Sequence, residues 1–360
     1  MRSILKRRGS KDASPAPRRP EAPPTKLPAY VPVESADPLA EIGELMAANR
    51  ADPNAATEKR IVQLRHEAFA QLDRTAPDRS PDTDPVVDQL SRPDGLPEIG
   101  ASELTSDAVR DGILGGGSLI IRGLLDADRA ERMRAGIDET FAARDAHIDG
   151  APLPETTPWY DPFAPGPDYP LDPAQWNRMV KGGHAVWAPD SPRMMFELLD
   201  AFDVSGLSAT ITDYLGERPA LSMNKSVLRR VSPESGTDWN QDGAFLGRGI
   251  RTCNVWIALT RCGDIAPGLD VVARRYDEIV ETGTEGAMFP WAVSPQKVEE
   301  SRQGAEVARP TFNPGDAILF DHFCLHRTAV GPEMTENRYA TETWCFAPSV
   351  YPDKTVPLVL

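Results

Sequence analysis

The sequence predicts an α+β protein in which helices come first and a mainly β domain follows. Two observations predict this order. Before Gly216, apolar residues recur at three- and four-residue spacing, as they do on one face of a helix. From residue 220 onward, the pattern changes to short apolar stretches separated by glycine and proline, which is typical of an antiparallel sandwich or barrel.

The first 100 of the 360 residues are expected to lie outside the main domain. Residues 1–55 carry nine prolines and few large apolar residues, and eight basic residues fall within the first 27. We therefore predict a disordered, basic, proline-rich tail. Residues 56–100 are expected to form a loosely structured linker with one short helix over 57–72. The main domain then spans residues 101–360, with its helical part first.

Helix signals open this domain. Thr105 and Asp126 are typical N-cap residues ahead of helical patterns, and a third helical region is expected from Pro192 to about Gly216. In the helix after Asp126, four apolar residues share one face and are expected to pack in the core: Ala130, Met133, Ile137 and Phe141.

Short apolar stretches predict the strands, at residues 118–121, 221–231, 251–259, 270–272, 317–320 and 338–346. Between the helical parts, residues 151–173 contain eight prolines and several aromatic residues, among them Trp159, Tyr160 and Phe163. A long loop of this kind often covers a site, so we predict a lid here.

Composition excludes several classes of function. With 39 Lys and Arg against 54 Asp and Glu, the formal charge is −15, which argues against nucleic-acid binding. No apolar run approaches the ~20 residues that cross a membrane, and no apolar stretch follows the basic start as in a secretory signal. The four cysteines show no CxxC pair and are expected to be buried free thiols in a reducing compartment. We therefore expect a cytoplasmic protein that binds neither nucleic acid nor membrane.

The familiar short catalytic motifs are absent from the sequence, which contains no GxSxG, HExxH, P-loop or paired-cysteine zinc signature. A distributed set of residues remains. Asn240 and Asp242 are two positions apart, so on an extended chain both side chains point the same way. His326 follows an apolar strand, and Arg338 begins the next one. A carboxylate and an imidazole that converge inside a β-sandwich, with an arginine on the adjacent strand, suit an iron site with a dicarboxylate co-substrate.

Taken together, these residues resemble the phytanoyl-CoA dioxygenase-like family of Fe(II)/2-oxoglutarate-dependent dioxygenases. The resemblance runs from about Ser102 to the C-terminus. Its strongest stretches are residues 239–245, 254–259, 262–263, 267–269 and 315–328, with Arg338.

The resemblance implies a double-stranded β-helix, or jelly roll, with flanking N-terminal helices. It implies Fe(II), 2-oxoglutarate and O2 as cofactor and co-substrates, and hydroxylation of a small organic molecule with succinate and CO2 as co-products. Asp242 and His326 would be metal ligands, and Arg338 would bind 2-oxoglutarate. Thr328 and Trp256 would line the co-substrate pocket.

The sequence departs from the family at Asn240, which stands where the first metal histidine is expected. An amide oxygen is a weaker donor to Fe(II) than an imidazole, so Asn240 would be a weak or lost ligand. Three hypotheses remain open. Asn240 ligates weakly and the enzyme works, or His184 or His322 substitutes, or the chain is a non-catalytic jelly-roll protein that binds or regulates.

Charge around the predicted metal motif differs from the chain average. Residues 222–275 hold eight bases and five acids, although the whole chain carries −15. One hypothesis is a positively charged mouth, formed by residues such as Arg229, Arg248 and Arg274, that attracts an anionic substrate. The alternative is that these arginines pair with acids elsewhere in the fold.

Overall fold

The structure, a computed structural model, describes residues 28–76, 89–150, 157–172, 184–353 and 355–360. Its helices are α1 (Pro38–Ala51), α2 (Ala55–Ala68), α3 (Ser106–Arg110), α4 (Ala127–Ile148), α5 (Pro192–Val204), α6 (Leu207–Leu215), α7 (Gly243–Leu246) and α8 (Pro295–Arg302). Its strands are β1 (Glu98–Gly100), β2 (Ser118–Arg122), β3 (Ala185–Trp187), β4 (Ala220–Val231), β5 (Thr252–Ala258), β6 (Gly268–Val272), β7 (Val307–Ala308), β8 (Ala317–Phe320), β9 (His326–Ala329), β10 (Arg338–Phe346) and β11 (Pro357–Val359).

Two sheets form the β part of the molecule. The large sheet has the order β1-β2-β8-β5-β10-β4-β11, with β3 also paired to β4. The small sheet has the order β7-β6-β9, and a bridge between Asn240 and His326 continues it beyond β9. From β4 to β10 the chain passes back and forth between the sheets, which is the path of a jelly roll. The predicted fold class is therefore confirmed, and the sheets of the described residues do not close into a barrel.

Side-chain alternation along the large sheet gives each of its faces a different neighbour. In β2, Leu119 and Ile121 pack into the core shared with the helices, whereas Ile120 packs into the core shared with the small sheet. Trp256 on β5 also faces the small sheet. The space between the two sheets is where the candidate site lies.

The helical layer follows the predicted caps and the predicted buried face. The Thr105 hydroxyl accepts the Ala108 N–H at 3.1 Å, and the Asp126 carboxylate accepts the Arg129 N–H at 2.7 Å. The four apolar residues predicted to share one face of α4 are fully buried. The helical region expected from Pro192 to Gly216 is divided into α5 and α6, because the chain turns at Gly206 with a left-handed φ of 77°.

Order begins earlier in the chain than the sequence suggested. The prediction of a disordered tail up to residue 55 is wrong for residues 38–51, which form α1 and bury Ile42 and Met46. Pro38 stands in the first turn of α1, where a missing N–H costs nothing, so a proline-rich stretch still enters a helix. Within the predicted linker, β1 pairs with β2. The basic residues 1–27 lie outside the described residues, and the other domain limits remain predictions.

The described part of the proline-rich loop, residues 157–172, packs on the helical layer. Tyr160 and Phe163 are buried in the helix-side core, and Trp159 packs against it. The His66 ring contacts Phe163, and its Nε2 accepts the Gly166 N–H at 2.9 Å. The lid prediction is therefore wrong for this part of the loop, which contributes no side chain to the space between the sheets. Residues 151–156 and 173 lie outside the described residues.

The four cysteines are free and buried in the structure, as the sequence predicts. Burial raises the pKa of the Cys262 thiol to about 12, so it stays protonated and unreactive at neutral pH. Among the described residues, no helix combines the length and the apolar character that crossing a membrane requires.

Asp190 generates a test of the helical layer. Burial raises the pKa of this carboxyl from 3.8 to about 8, although its Oδ1 accepts the Phe163 N–H at 2.9 Å. The folded state thus binds more protons than the unfolded chain between pH 4 and 8. The contribution of Asp190 to the free energy of unfolding therefore falls as pH rises through this range. Asp190→Asn keeps the acceptor oxygen and removes the ionisation.

We expect the Tm of Asp190→Asn to exceed that of the natural protein by a margin that grows from pH 4 to pH 8. Thermal unfolding across this range measures the margin. The matched control is Asp353→Asn, at an exposed position. A margin that is constant with pH, or equal to that of the control, would contradict the assignment.

Candidate metal and co-substrate site

A cavity of about 470 Å³ lies between the two sheets and contains every site residue that the sequence predicted. Those residues are Asn240, Asp242, Trp256, His326, Thr328 and Arg338. They come from three strands and one loop, so the jelly-roll path brings together side chains that are far apart in the sequence. The cavity lies on the inner face of both sheets, and Phe245 of the short helix α7 also lines it.

A backbone bridge holds the loop after β4 against β9. The Asn240 N–H donates to the His326 carbonyl at 2.9 Å, and the His326 N–H donates to the Asn240 carbonyl at 3.0 Å. Residues exchanging two hydrogen bonds in this way form a directly opposed antiparallel pair. This pair therefore sets the position of Asn240 and His326 at one wall of the cavity, with Asp242 two residues further along.

Gln241 and Gly243 anchor the same loop, and the sequence analysis did not assign them a role. The buried Gln241 amide donates to the Phe323 and Glu278 carbonyls, at 2.6 and 3.1 Å, and accepts the Val280 N–H at 2.7 Å. A Cβ on Gly243 would meet the His322 ring at 2.9 Å, so the close packing requires glycine. The sequence does contain a sign of this anchoring role, because Gln241 is a polar residue between Asn240 and Asp242, the two positions that face the cavity.

Asp242 and His326 face each other across the cavity wall. His326 Nε2 is 3.8 Å from Asp242 Oδ2, and His326 Nδ1 is 3.1 Å from the Cys324 carbonyl oxygen. A carbonyl only accepts, so Nδ1 carries the hydrogen and Nε2 presents its lone pair to the cavity. Burial raises the pKa of Asp242 above its ordinary value, while Lys225 and His326 oppose this shift.

These donors fit a divalent metal ion held by two strong protein ligands. An imidazole nitrogen with its other nitrogen tied to a carbonyl is the usual arrangement of a ligating histidine, and the carboxylate beside it supplies charge. Among the described residues, no group of three or more His, Cys, Asp or Glu side chains could hold a metal. Asn240 lines the same cavity, and its backbone pairs with that of His326.

His184 and His322 do not line this cavity. His184 is exposed, and its Nε2 is 3.5 Å from the Ser235 hydroxyl. His322 lines a separate cavity of about 310 Å³, where its Nε2 is 3.3 Å from the Arg248 carbonyl oxygen. The hypothesis that either histidine replaces the missing ligand therefore finds no support in the geometry.

Arg338 is a buried cation whose hydrogen-bonding groups are only partly satisfied. Its side chain is 2% exposed, Nη1 donates to the Gly268 carbonyl at 3.2 Å, and Nε has no hydrogen-bond partner. Within the described part of the chain, no carboxylate lies at ion-pair distance from this guanidinium. Burial lowers its pKa to about 10, so it stays charged at neutral pH. A guanidinium in this state fits a carboxylate ligand, which it can bind through two parallel N–H groups.

Trp256 contacts Arg338, and Thr328 lines the same cavity. The guanidinium carbon of Arg338 is 5.6 Å from the Trp256 ring centroid, a distance at which the ring face stabilises the cation. Thr328 lies on β9, and its N–H donates to the Thr237 hydroxyl at 2.8 Å. Both residues line the cavity, as does Leu269.

The rest of the cavity wall carries charged and aromatic side chains that the sequence analysis did not single out as site residues. They are Lys225, Arg229, Phe245, Trp291 and Glu342. Arg229 pairs with Glu342 at 2.7 Å, and although burial opposes ionisation, this pair holds the pKa of Glu342 below its ordinary value. Glu342 stands four residues after Arg338 on β10, and this even spacing places both on one face.

Only one of the three arginines proposed for a positively charged mouth lies at the cavity. Arg229 lines it but is paired with Glu342. Arg248 lines the separate cavity beside His322. Arg274 donates to the Ser301 carbonyl at 2.8 Å, and its guanidinium lies over the Tyr276 ring. The prediction is therefore wrong for Arg248 and Arg274. The pairing with an acid that the alternative expected is found for Arg229, but among the described residues neither Arg248 nor Arg274 forms an ion pair.

Comparisons with known proteins identify no family. No protein-family model matches the chain, and no curated protein matches it. Solved structures that are similar to it include the following three. One is AviO1 from Streptomyces viridochromogenes Tue57, with 16% identity, a TM-score of 0.44, and coverage of 69% of this chain and 98% of that one.

The second is SnoK, described as a non-heme alpha ketoglutarate dependent carbocyclase from nogalamycin biosynthesis, with 15% identity, a TM-score of 0.44, and coverage of 69% and 86%. The third is EctD from S. alaskensis, solved with 2-oxoglutarate and 5-hydroxyectoine, with 17% identity, a TM-score of 0.46, and coverage of 78% and 87%. At these identities and TM-scores the likeness carries no argument about the site, so a function has to be argued from the cavity itself.

Arg338 gives a test of the co-substrate end. A buried charge without a counter-charge is costly to hold in the fold, so replacing it by an apolar side chain of similar length is expected to stabilise the ligand-free protein. We expect Arg338→Met to raise the Tm of the ligand-free protein by roughly 2 °C or more. We also expect 2-oxoglutarate to raise the Tm of the natural protein but not of the variant.

The control is Arg327→Met, which removes an arginine that pairs with Asp270 at 2.8 Å, and should not raise the Tm. Differential scanning fluorimetry with and without 2-oxoglutarate provides both measurements. Equal gains from 2-oxoglutarate in natural protein and Arg338→Met would show that Arg338 does not bind it.

Proposed function

We propose that the chain is a non-haem Fe(II)/2-oxoglutarate-dependent oxygenase that hydroxylates a small organic molecule, with succinate and CO2 as co-products. One observation carries the proposal. A single cavity joins a carboxylate and histidine pair, separated by 3.8 Å, to a buried arginine that has no carboxylate partner among the described residues. A metal with a dicarboxylate bound beside it would satisfy both groups at once.

Separate residues would bind the metal and 2-oxoglutarate. Asp242 and the Nε2 atom of His326 would hold the metal, and Asn240 would lie beside them as a weak third donor. Arg338 would bind the far carboxylate of 2-oxoglutarate, with Trp256 and Thr328 lining its pocket. When bound, the metal and 2-oxoglutarate supply the oxidation of a substrate C–H bond by O2.

Partial shielding from water is the other contribution of the fold. The site lies between two packed sheets, and although polar and charged side chains make up most of its lining, Leu269 and Phe320 add apolar surface. Apolar surface beside charged groups strengthens their electrostatic contacts. The backbone bridge at Asn240 and His326 holds the ligands on the rigid part of the jelly roll, so little reorganisation is needed on binding.

Removal of single ligands tests the metal site. We expect Asp242→Ala and His326→Ala to lower Mn(II) affinity at least tenfold, because each removes one of the two strong donors. His322→Ala and His184→Ala should leave the affinity within about twofold, since both residues lie outside the cavity. Isothermal titration calorimetry under anaerobic conditions gives the affinities. A loss in His322→Ala equal to that in His326→Ala would instead identify His322 as a ligand.

Restoring the imidazole tests Asn240. We expect the natural protein to bind Fe(II) and 2-oxoglutarate in the absence of oxygen and to form succinate in air. Asn240→His should bind Fe(II) at least about tenfold more tightly than the natural protein does. Asn240→Ala is the matched control and should bind no more tightly than the natural protein. If only Asn240→His binds iron and forms succinate, the natural chain is a non-catalytic jelly-roll protein with a degenerate metal site.

A further inference from the structure

Lys225 is the cation of the cavity that the proposed function leaves without a role. It lies on β4 with its side chain 24% exposed, and its Nζ is 3.7 Å from Asp242 Oδ1. The same Nζ lies 4.0 Å from the centroid of the Phe245 ring. An ammonium held between a carboxylate and an aromatic face, at the wall of an open cavity, is positioned to meet a ligand.

Counting charges shows what this ligand must supply. In the loaded site that we propose, Arg338 is balanced by the far carboxylate of 2-oxoglutarate. A divalent ion is balanced by Asp242 and the near carboxylate, and Arg229 is balanced by Glu342 at 2.7 Å. Asp242 is then engaged by the metal, so the charge on Lys225 loses its counterpart. A half-buried cation without a counter-charge favours the binding of an anion.

Aromatic side chains define the other part of the ligand. Phe245 and Trp291 line the cavity, with ring centroids 6.3 Å apart, and Phe289 stacks on Trp291 at 5.0 Å with nearly parallel planes. Phe245 and Phe289 remain 46% and 45% exposed. Large exposed aromatic residues grouped at the edge of a cavity mark a binding surface for an apolar, planar group.

We infer that the substrate is a small carboxylate with a planar apolar or aromatic body, that Lys225 binds its carboxylate, and that the Phe245 and Trp291 rings hold its body. This inference rests on the proposed function, because the charge on Lys225 is balanced by Asp242 until a metal binds. It also explains the position of Lys225 on the same strand face as Arg229, four residues away. Lys225 is thus a specificity residue and not a metal ligand.

The test compares two probes of nearly equal shape, trans-cinnamate and its neutral amide, trans-cinnamamide. Full-length protein is first loaded with Mn(II) and 2-oxoglutarate without oxygen, and loading is measured by calorimetry. Each probe is then titrated into the loaded protein. We expect cinnamate to bind at least about tenfold more tightly than cinnamamide, because a half-buried ammonium without a counter-charge favours the charged ligand.

Variants of the cavity residues show which side chain causes the preference for cinnamate over cinnamamide. Lys225→Met should reduce the cinnamate to cinnamamide affinity ratio to about one, and Lys225→Arg should keep most of the ratio, because it keeps the charge. Trp291→Leu should weaken both probes by a similar factor and leave the ratio unchanged. Lys297→Met, on α8 with its ammonium paired to Glu281 and Glu300, is the matched control and should change neither affinity.

The outcomes separate the two proposals. Failure of the natural protein to load Mn(II) and 2-oxoglutarate would overturn both. Normal loading with equal affinity for the two probes, or with a ratio that Lys225→Met leaves unchanged, would overturn the substrate inference alone. A cinnamate preference that disappears in Lys225→Met and returns in Lys225→Arg would support it.

Discussion

The site depends on the pair of backbone hydrogen bonds between Asn240 and His326. This bridge joins the loop after β4 to the strand β9 and continues the small sheet by one residue pair. Because it uses backbone groups, it positions both side chains whatever their chemistry. A histidine or an asparagine at position 240 would therefore occupy the same place, and the identity of this residue would change the strength of the proposed metal site without changing its location.

Burial explains why the two ends of the cavity need a ligand. Arg338 is enclosed beside Trp256 with one hydrogen bond, and Asp242 is enclosed with charged neighbours no closer than 3.7 Å. Both groups are costly to hold in a dry interior unless charge of opposite sign reaches them. A fold that keeps such residues gives up stability for binding, which is why removal of the Arg338 charge is expected to stabilise the empty protein.

The order of helices and strands could be predicted from local patterns, and most of the site residues from the family resemblance. The caps at Thr105 and Asp126, the buried face of α4 and the strands around Trp256 each follow from spacing within a few residues. The errors concern partners distant in the sequence. Helix α1 lies in a proline-rich stretch and is stabilised by burying Ile42 and Met46 against other helices, which no local pattern reveals. Residues 157–172 pack on the helical side for the same reason.

The sequence by itself determined which chemical groups are present. They are the carboxylate of Asp242, the imidazole of His326 and the guanidinium of Arg338, with the amide of Asn240 where a histidine is expected. Only the tertiary structure decided which of the remaining polar groups share their cavity. It excluded His184, His322, Arg248 and Arg274, and it added Lys225 and Glu342. The physical reason is that strand pairing and side-chain alternation bring residues that are distant in the sequence onto one inner face. The composition gives only the number of charged residues, not their positions in the fold.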